Sequence, residues 1–374
     1  MASRRFFDPP LRVVIPPRPN NSAVLGRRLL EILDSGNYKS GYRWTAELTE
    51  RVAVLLGLGP DRELLPTVSG TAALRLAAVT LRGTYPAKGR PANAVLPSFT
   101  FPATGEFLRQ LGYDLLFCDV DAQTWNINPE ELAPILQKHP VDLVVCVDAL
   151  GNPANYTALA RLCRDAGVPQ LADSASALGS RHQSLPVGTQ ADAHAFSMSM
   201  AKVVSAAGAG GFVVLPAGSR RRLERDENWI RSSLMTETNA VVALDQLGDL
   251  AGLLARRAAV AEVYQHATQS VPGLSLQGVL PGDTHSWVHA VLRCRPPHDR
   301  DKIAAGLARF GIETKPYYAP PLHTFLPHRD SPRALPQTEA LGREVLALPV
   351  SSEMSRHDGE LVAEALSLVT GCNE

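Results

Sequence analysis

One lysine stands in the stretch FSMSMAKVVSAAGAGG, residues 196–211, with small or apolar neighbours on both sides. Ser197 and Ser199 come just before Lys202, and Gly208, Gly210 and Gly211 follow it. An amine acts as a nucleophile only when it is neutral, and near pH 7 that requires burial or a nearby positive charge to lower its pKa. Lys202 is therefore a candidate Schiff-base residue. Taken alone, it fits equally a lysine snorkelling to the surface at the end of a helix or strand. Asp173 closes the apolar run VPQLAD. On a strand end it would project into a crevice, or else lie solvated at a strand–loop junction. SGTAALRLAAVTL, residues 69–81, is a small-residue turn that opens a helical pattern. Free amides and the helix dipole can hold an anion there, although a plain Ser/Thr N-cap reads the same way.

These residues need a scaffold. Short apolar runs recur at 64–68, 94–97, 113–120, 141–148, 168–173, 193–198 and 211–215, and helical segments at 100–111, 129–138 and 155–166 separate several of them. Strands buried on both faces read as continuous apolar runs, and alternation with helices predicts a mainly parallel α/β sheet. Ligands of such sheets gather at the carboxyl ends of the strands, where Asp173 and Ser197 would stand. Ahead of the sheet lie a proline-rich arm, residues 1–22, a helix over 23–35 stopped by Gly36, and a second helix opened by Thr45 and ending near Gly57 or Gly59. Residues 219–236 hold a charged helix, and 240–268 reads as one long helix leading into a smaller unit. That unit carries a strand at WVHAVLR, a helix ending at Gly311 and a last helix at HDGELVAEALSLV. The division expected is an arm over 1–22, a large domain over 23–250 and a small α+β domain over 251–374, a reasonable partition for 374 residues.

Composition excludes several function classes. Lys plus Arg and Asp plus Glu both number 37, so neither nucleic acid nor an anionic membrane is expected as the main partner. Cys118, Cys146, Cys163, Cys294 and Cys372 are scattered without a CxxC pair. That argues against a metal site or a disulfide framework and for a reducing cytoplasm, with Cys118 and Cys146 as small core residues. The opening residues MASRRFFDPPLRVVIPP have no apolar h-region, so no secretion signal is expected, and no run has the length of a membrane span. GAGG at 208–211 follows the lysine rather than a first strand, which disfavours a Rossmann dehydrogenase.

The order of motifs resembles one family across residues 20–370: SGTAAL at 69–74, LPSFTFPAT at 96–104, FCDVDAQTWNINPE at 117–130 and DALGNPAN at 148–155, then LADSASALG at 171–179, VGTQADAHAFSMSMAK at 187–202, GAGG at 208–211, MTETNAVVALDQL at 235–247 and KPYYAPPLH at 315–323. The chain resembles the DegT/DnrJ/EryC1/StrS sugar aminotransferases, which use pyridoxal phosphate and have the aspartate-aminotransferase-like fold. The resemblance implies that Lys202 forms the internal aldimine and that Asp173 pairs with the pyridine nitrogen. It implies that Phe101 stacks on the ring, that Gly70, Thr71 and Ser197 hold the phosphate, and that Ser176 lies near the phenolic oxygen. Tyr317, Tyr318 and His323 would meet a nucleotide-sugar substrate. The activity implied is transfer of an amino group, from L-glutamate, to a keto-deoxysugar in ping-pong half-reactions, by a homodimer with a shared active site. The chain departs from the family's pattern at Ser232, where many members have Asn, at Ala209 in place of an acid, and at Lys315 in place of Arg. The departures at Ser232 and Ala209 keep open a non-nucleotide acceptor such as a cyclitol ketone. A non-catalytic, cofactor-binding regulator is the third reading, disfavoured by the Lys202–Asp173 pair.

Overall fold

The computed structural model describes residues 5–84, 91–226, 230–327 and 334–371, so Cys372 lies outside them. Helices α1 (Ser22–Ser35) and α2 (Arg43–Leu56) come first. The apolar runs then become strands: β1 (Arg62–Thr67), β2 (Ala92–Pro97), β3 (Tyr113–Cys118), β4 (Leu143–Val147) and β5 (Gln170–Asp173). Helices α3 (Gly70–Thr84), α4 (Ala103–Gln110), α5 (Pro129–Lys138) and α6 (Tyr156–Ala166) connect them. A short hairpin, β6 (Arg181–His182) and β7 (Leu185–Pro186), leads to β8 (Ala193–Ser197) and β9 (Gly211–Pro216). Helices α7 (Ser219–Asp226), α8 (Ile230–Ser233), α9 (Glu237–Leu247) and α10 (Leu250–Gln269) follow. The remainder comprises β10 (Leu274–Leu276), β11 (Ala290–Cys294), α11 (Arg300–Arg309), α12 (Pro336–Glu344), β12 (Val345–Leu348) and α13 (Arg356–Thr370).

Seven strands form one sheet in the order β1-β9-β8-β5-β4-β2-β3. Only β9 runs against its neighbours. Along each strand successive side chains enter opposite faces, as a two-residue period requires. On β4, Val144 and Cys146 join one apolar cluster with Trp44, Leu48 and Tyr156, while Leu143 and Val145 join another with Leu74, Leu76 and Phe107. The sheet is thus covered on both faces, which explains the unbroken apolar runs. Cys118 and Cys146 are buried on the first face. A second sheet, β10-β11-β12, is antiparallel and packs with α10, α11 and α13 around Tyr264, Leu292 and Leu366.

Two local expectations change. Helix α2 starts at Arg43, ahead of Thr45, and its N-cap Tyr42 makes no side-chain cap. The carboxylate of Glu237, buried, replaces it by accepting from the amides of Trp44 (2.6 Å) and Thr45 (3.1 Å) and from the Thr45 hydroxyl (2.6 Å). The long helix expected over 240–268 is two helices. Asp249, at φ −117, leaves helical geometry between them, while the leucine spacing runs on across the break. The charged segment after β9 carries α7 and α8, and residues 227–229 lie outside the described residues. The proline-rich arm is extended and anchored: Phe6 and Phe7 donate to the Phe310 carbonyl, and the amides of Asn20 and Asn21 donate to Asp245.

Candidate active site

The carboxyl ends of the parallel strands and two segments of the C-terminal part enclose a cavity of about 410 Å³. Its size suits a cofactor with a small substrate. Asp173 ends β5 and is buried. One carboxylate oxygen accepts from the Thr104 hydroxyl at the start of α4 (2.7 Å), and the other from the Ala175 amide (3.2 Å). Burial pushes its carboxyl up, opposed by these two donors and by the Lys202 ammonium. Lys202 follows β8 on a turn in which its amide donates to the Ser199 carbonyl (3.0 Å). Its Nζ donates to Ser176 Oγ at 2.9 Å. Protein surrounds the amine except where it opens on the cavity, and burial lowers its pKa to about 8, with Asp173 opposing and Arg257 assisting.

The anion turn and its N-cap are the same structure. Ser69 Oγ accepts from the Ala72 amide (3.1 Å), and α3 begins at Gly70. Among the described residues no protein group accepts from the amides of Gly70 and Thr71. Both residues line the cavity, together with Ser197 from the end of β8. The turn must be glycine: a Cβ on Gly70 would stand 2.8 Å from the Ser197 Cβ, and one on Gly211 only 2.4 Å from the Phe196 carbonyl oxygen. Phe101 is 60 % exposed and lines the cavity, so it is not a core phenylalanine.

Nine of the ten residues singled out in the sequence line this one cavity: Gly70, Thr71, Phe101, Asp173, Ser176, Ser197, Lys202, Tyr317 and Tyr318. Burial next to Asp173 pushes the Tyr318 hydroxyl up. His323 is not part of the lining. The PPLH turn folds back onto the loop after β2, where the amide and Nδ1 of His323 lie 2.9 and 2.7 Å from Ser98 Oγ and the ring meets Phe117 edge-on. Of the departures, Ala209 lines the cavity, Ser232 lies exposed in α8, and Lys315 pairs with Glu313 (3.5 Å).

Sequence reasoning missed Asp148, His289 and Thr104. Asp148 also lines the cavity. It accepts from the Tyr156 hydroxyl (2.8 Å to each oxygen) and from the Ala154 amide (2.8 Å), and burial raises its carboxyl to about 7. Behind it Ser174 bonds His194 Nδ1 (3.0 Å), and the Ala191 amide donates to His194 Nε2 (3.0 Å). The position of Asp148 at the end of an apolar run was the available signal. His289 gave none.

A mainly parallel sheet with a lysine amine, a buried carboxylate and an open anion turn at its strand ends matches a pyridoxal-phosphate-dependent aminotransferase fold. The chain belongs to the DegT/DnrJ/EryC1/StrS aminotransferase family, whose profile matches residues 22–367. It is 29 % identical over 313 residues to the erythromycin biosynthesis sensory transduction protein EryC1 of Saccharopolyspora erythraea, covering 80 % of this chain and 83 % of that one. It is 28 % identical over 335 residues to the dTDP-4-dehydro-2,3,6-trideoxy-D-glucose 4-aminotransferase of Saccharopolyspora spinosa, covering 83 % and 84 %. The fold matches that of DesI, solved in the presence of its TDP-sugar product, with a TM-score of 0.86 and 28 % identity over 98 % of this chain and 94 % of that one. The residues present fit the cofactor: unbonded amides for a phosphate, a buried carboxylate for a ring nitrogen and an amine of lowered pKa share one cavity.

Proposed function

We propose that the protein transfers an amino group from L-glutamate to the keto carbon of a nucleotide-linked deoxysugar, in two half-reactions that alternate on one cofactor. The observation that carries the reading is Lys202, Asp173 and the Gly70–Thr71 turn opening on a single cavity. The relatives named for dTDP- and TDP-linked sugars support a TDP-linked acceptor. Pyridoxal phosphate, when bound, supplies the sink for the electron pair left as a Cα proton departs. Lys202 holds the cofactor and, once released as the free amine, takes that proton and returns it; a pKa near 8 leaves it able to do both at neutral pH. Asp173 keeps a proton on the ring nitrogen, and the Thr104 hydroxyl and Ala175 amide orient its carboxylate and favour its charge against the effect of burial. The Gly70 and Thr71 amides and the Ser197 hydroxyl hold the phosphate. Phe101 covers one ring face, Ser176 orients Nζ, and Tyr317 and Tyr318 line the acceptor side.

We place the domain division at residue 250, where α10 begins. Phe101 and Met200, 60 % and 52 % exposed in segments that line the cavity, support a homodimer that covers this surface. The four described cysteines are buried thiols, which supports a reducing, cytoplasmic setting. The test is spectroscopic. Glutamate should convert the lysine-bound cofactor of purified protein to the pyridoxamine form, and a TDP-keto-sugar should reverse the change. Protein that binds no cofactor, or a Lys202→Ala variant with full activity, would overturn the reading. Turnover of a free cyclitol ketone but of no keto-sugar nucleotide would move the acceptor to the second class.

A further inference from the structure

His289 stands immediately before β11, and its amide donates to the Leu150 carbonyl (3.4 Å), which ties it to the wall of the cavity near Asp148. Its ring lines the same cavity as Lys202 and packs on Tyr317 with centroids 4.9 Å apart. The side chain is buried, with 7 % of the residue exposed, and Nδ1 has no hydrogen-bond partner among the described residues. The other buried imidazoles among the described residues are fully bonded. His194 bonds Ser174 and the Ala191 amide, and His182 bonds Asp283 and Thr157. His285, half-buried, bonds the Trp287 amide and Gln277. Buried polar atoms in folded proteins are nearly always paired, and here the unpaired nitrogen is buried in a ring that lines a ligand cavity, so a turn of that ring can bring it to a ligand.

Resting on the aminotransferase reading, we infer that His289 is a specificity-determining residue that hydrogen-bonds a ring hydroxyl of the acceptor sugar. Burial, with Lys202 and Arg257 nearby, holds the imidazole neutral. A neutral imidazole has one donor and one acceptor nitrogen, which matches a hydroxyl; a carboxylate only accepts. The aromatic rings of Tyr317, which packs on it, and of Tyr318 next to that suit the C–H faces of a sugar ring. The imidazole reaches the ligand by turning about its Cβ–Cγ bond, a torsion with broad minima.

The experiment uses holoenzyme and two probes, TDP-4-keto-6-deoxyglucose and its 2,3-dideoxy counterpart. It measures kcat/KM for each probe and, by calorimetry, Kd for each amino-sugar product. Wild type should favour the hydroxylated probe. His289→Leu, which keeps the bulk and loses the polar atoms, should lower kcat/KM and product affinity about tenfold for the hydroxylated probe alone, the effect of one neutral hydrogen bond. His289→Asn, which returns a polar atom near the Nδ1 position, should restore most of the preference. A wild type that does not distinguish the probes, or a His289→Leu variant that weakens both equally or slows the glutamate half-reaction instead, overturns the inference and leaves the aminotransferase reading standing. Cofactor that reacts with glutamate while neither probe binds overturns the acceptor class and the inference with it.

Discussion

Removing the Asp173 charge should make Lys202 a weaker base. In the folded protein burial lowers the amine from 10.5 to about 8, Asp173 raises it, and Arg257 lowers it. At pH 7.5 an amine of pKa 8 is about one-quarter free base, against about one in a thousand at 10.5, so the fold enriches the reactive form by a factor of roughly 200. In Asp173→Asn the opposing carboxylate is gone, and the midpoint should fall below about 8. The assay is trace acetylation of cofactor-free protein between pH 6 and 11, with the Lys202 peptide quantified by mass spectrometry against exposed Lys39. The wild-type labelling curve should have its midpoint near 8 and the variant curve should lie to its acid side. A wild-type midpoint above 10, or a variant curve displaced to higher pH, would refute the electrostatic account of this lysine.

Gly70→Ala should destabilise the protein by about 1–3 kcal/mol in urea denaturation and weaken cofactor binding, because the new Cβ sits 2.8 Å from the Ser197 Cβ and the start of α3 must shift. Glu237→Ala should cost about 3–5 kcal/mol, because it strips the buried Trp44 and Thr45 amides of their acceptor; Glu237→Gln, which keeps one acceptor oxygen, should cost less. His194 gives a pH signature. Burial lowers it to about 3 from an ordinary 6.5, so between those values the unfolded chain binds more protons than the folded one. The stability it contributes is fully present above pH 6.5 and is lost toward pH 3 at about 1.4 kcal/mol per unit. The raised carboxyls of Asp148 and Asp173 act in the opposite sense but remain in both proteins. Urea midpoints of wild type and His194→Asn should therefore converge as pH falls from 7 to 4, and parallel curves would reject the assignment.

Much of the large sheet was legible in the chain. Runs such as YDLLFC and LVVCV are apolar on both faces because helices cover both faces, and no tertiary information is needed to see that alternation. Helix ends closed by left-handed glycines, Gly36 and Gly57, were equally local. The site was legible only through motif order. Residue type and spacing could not separate a catalytic Lys202 from a surface lysine, since the difference is the burial and the partners that the folded chain supplies.

The sequence by itself determined the alternation of strand and helix, the strand-end placement of Asp173 and Ser197, and the helix-opening turn at Ser69, because each depends on the geometry of a few consecutive residues. Only the tertiary structure decided that Glu237 caps a helix 193 residues away, that α9 and α10 part at Asp249, that His323 pairs with Ser98, and that His289 and Lys202 line one cavity. Those contacts join elements far apart in the chain. Periodicity records which side of one element is buried; it does not record which other element buries it.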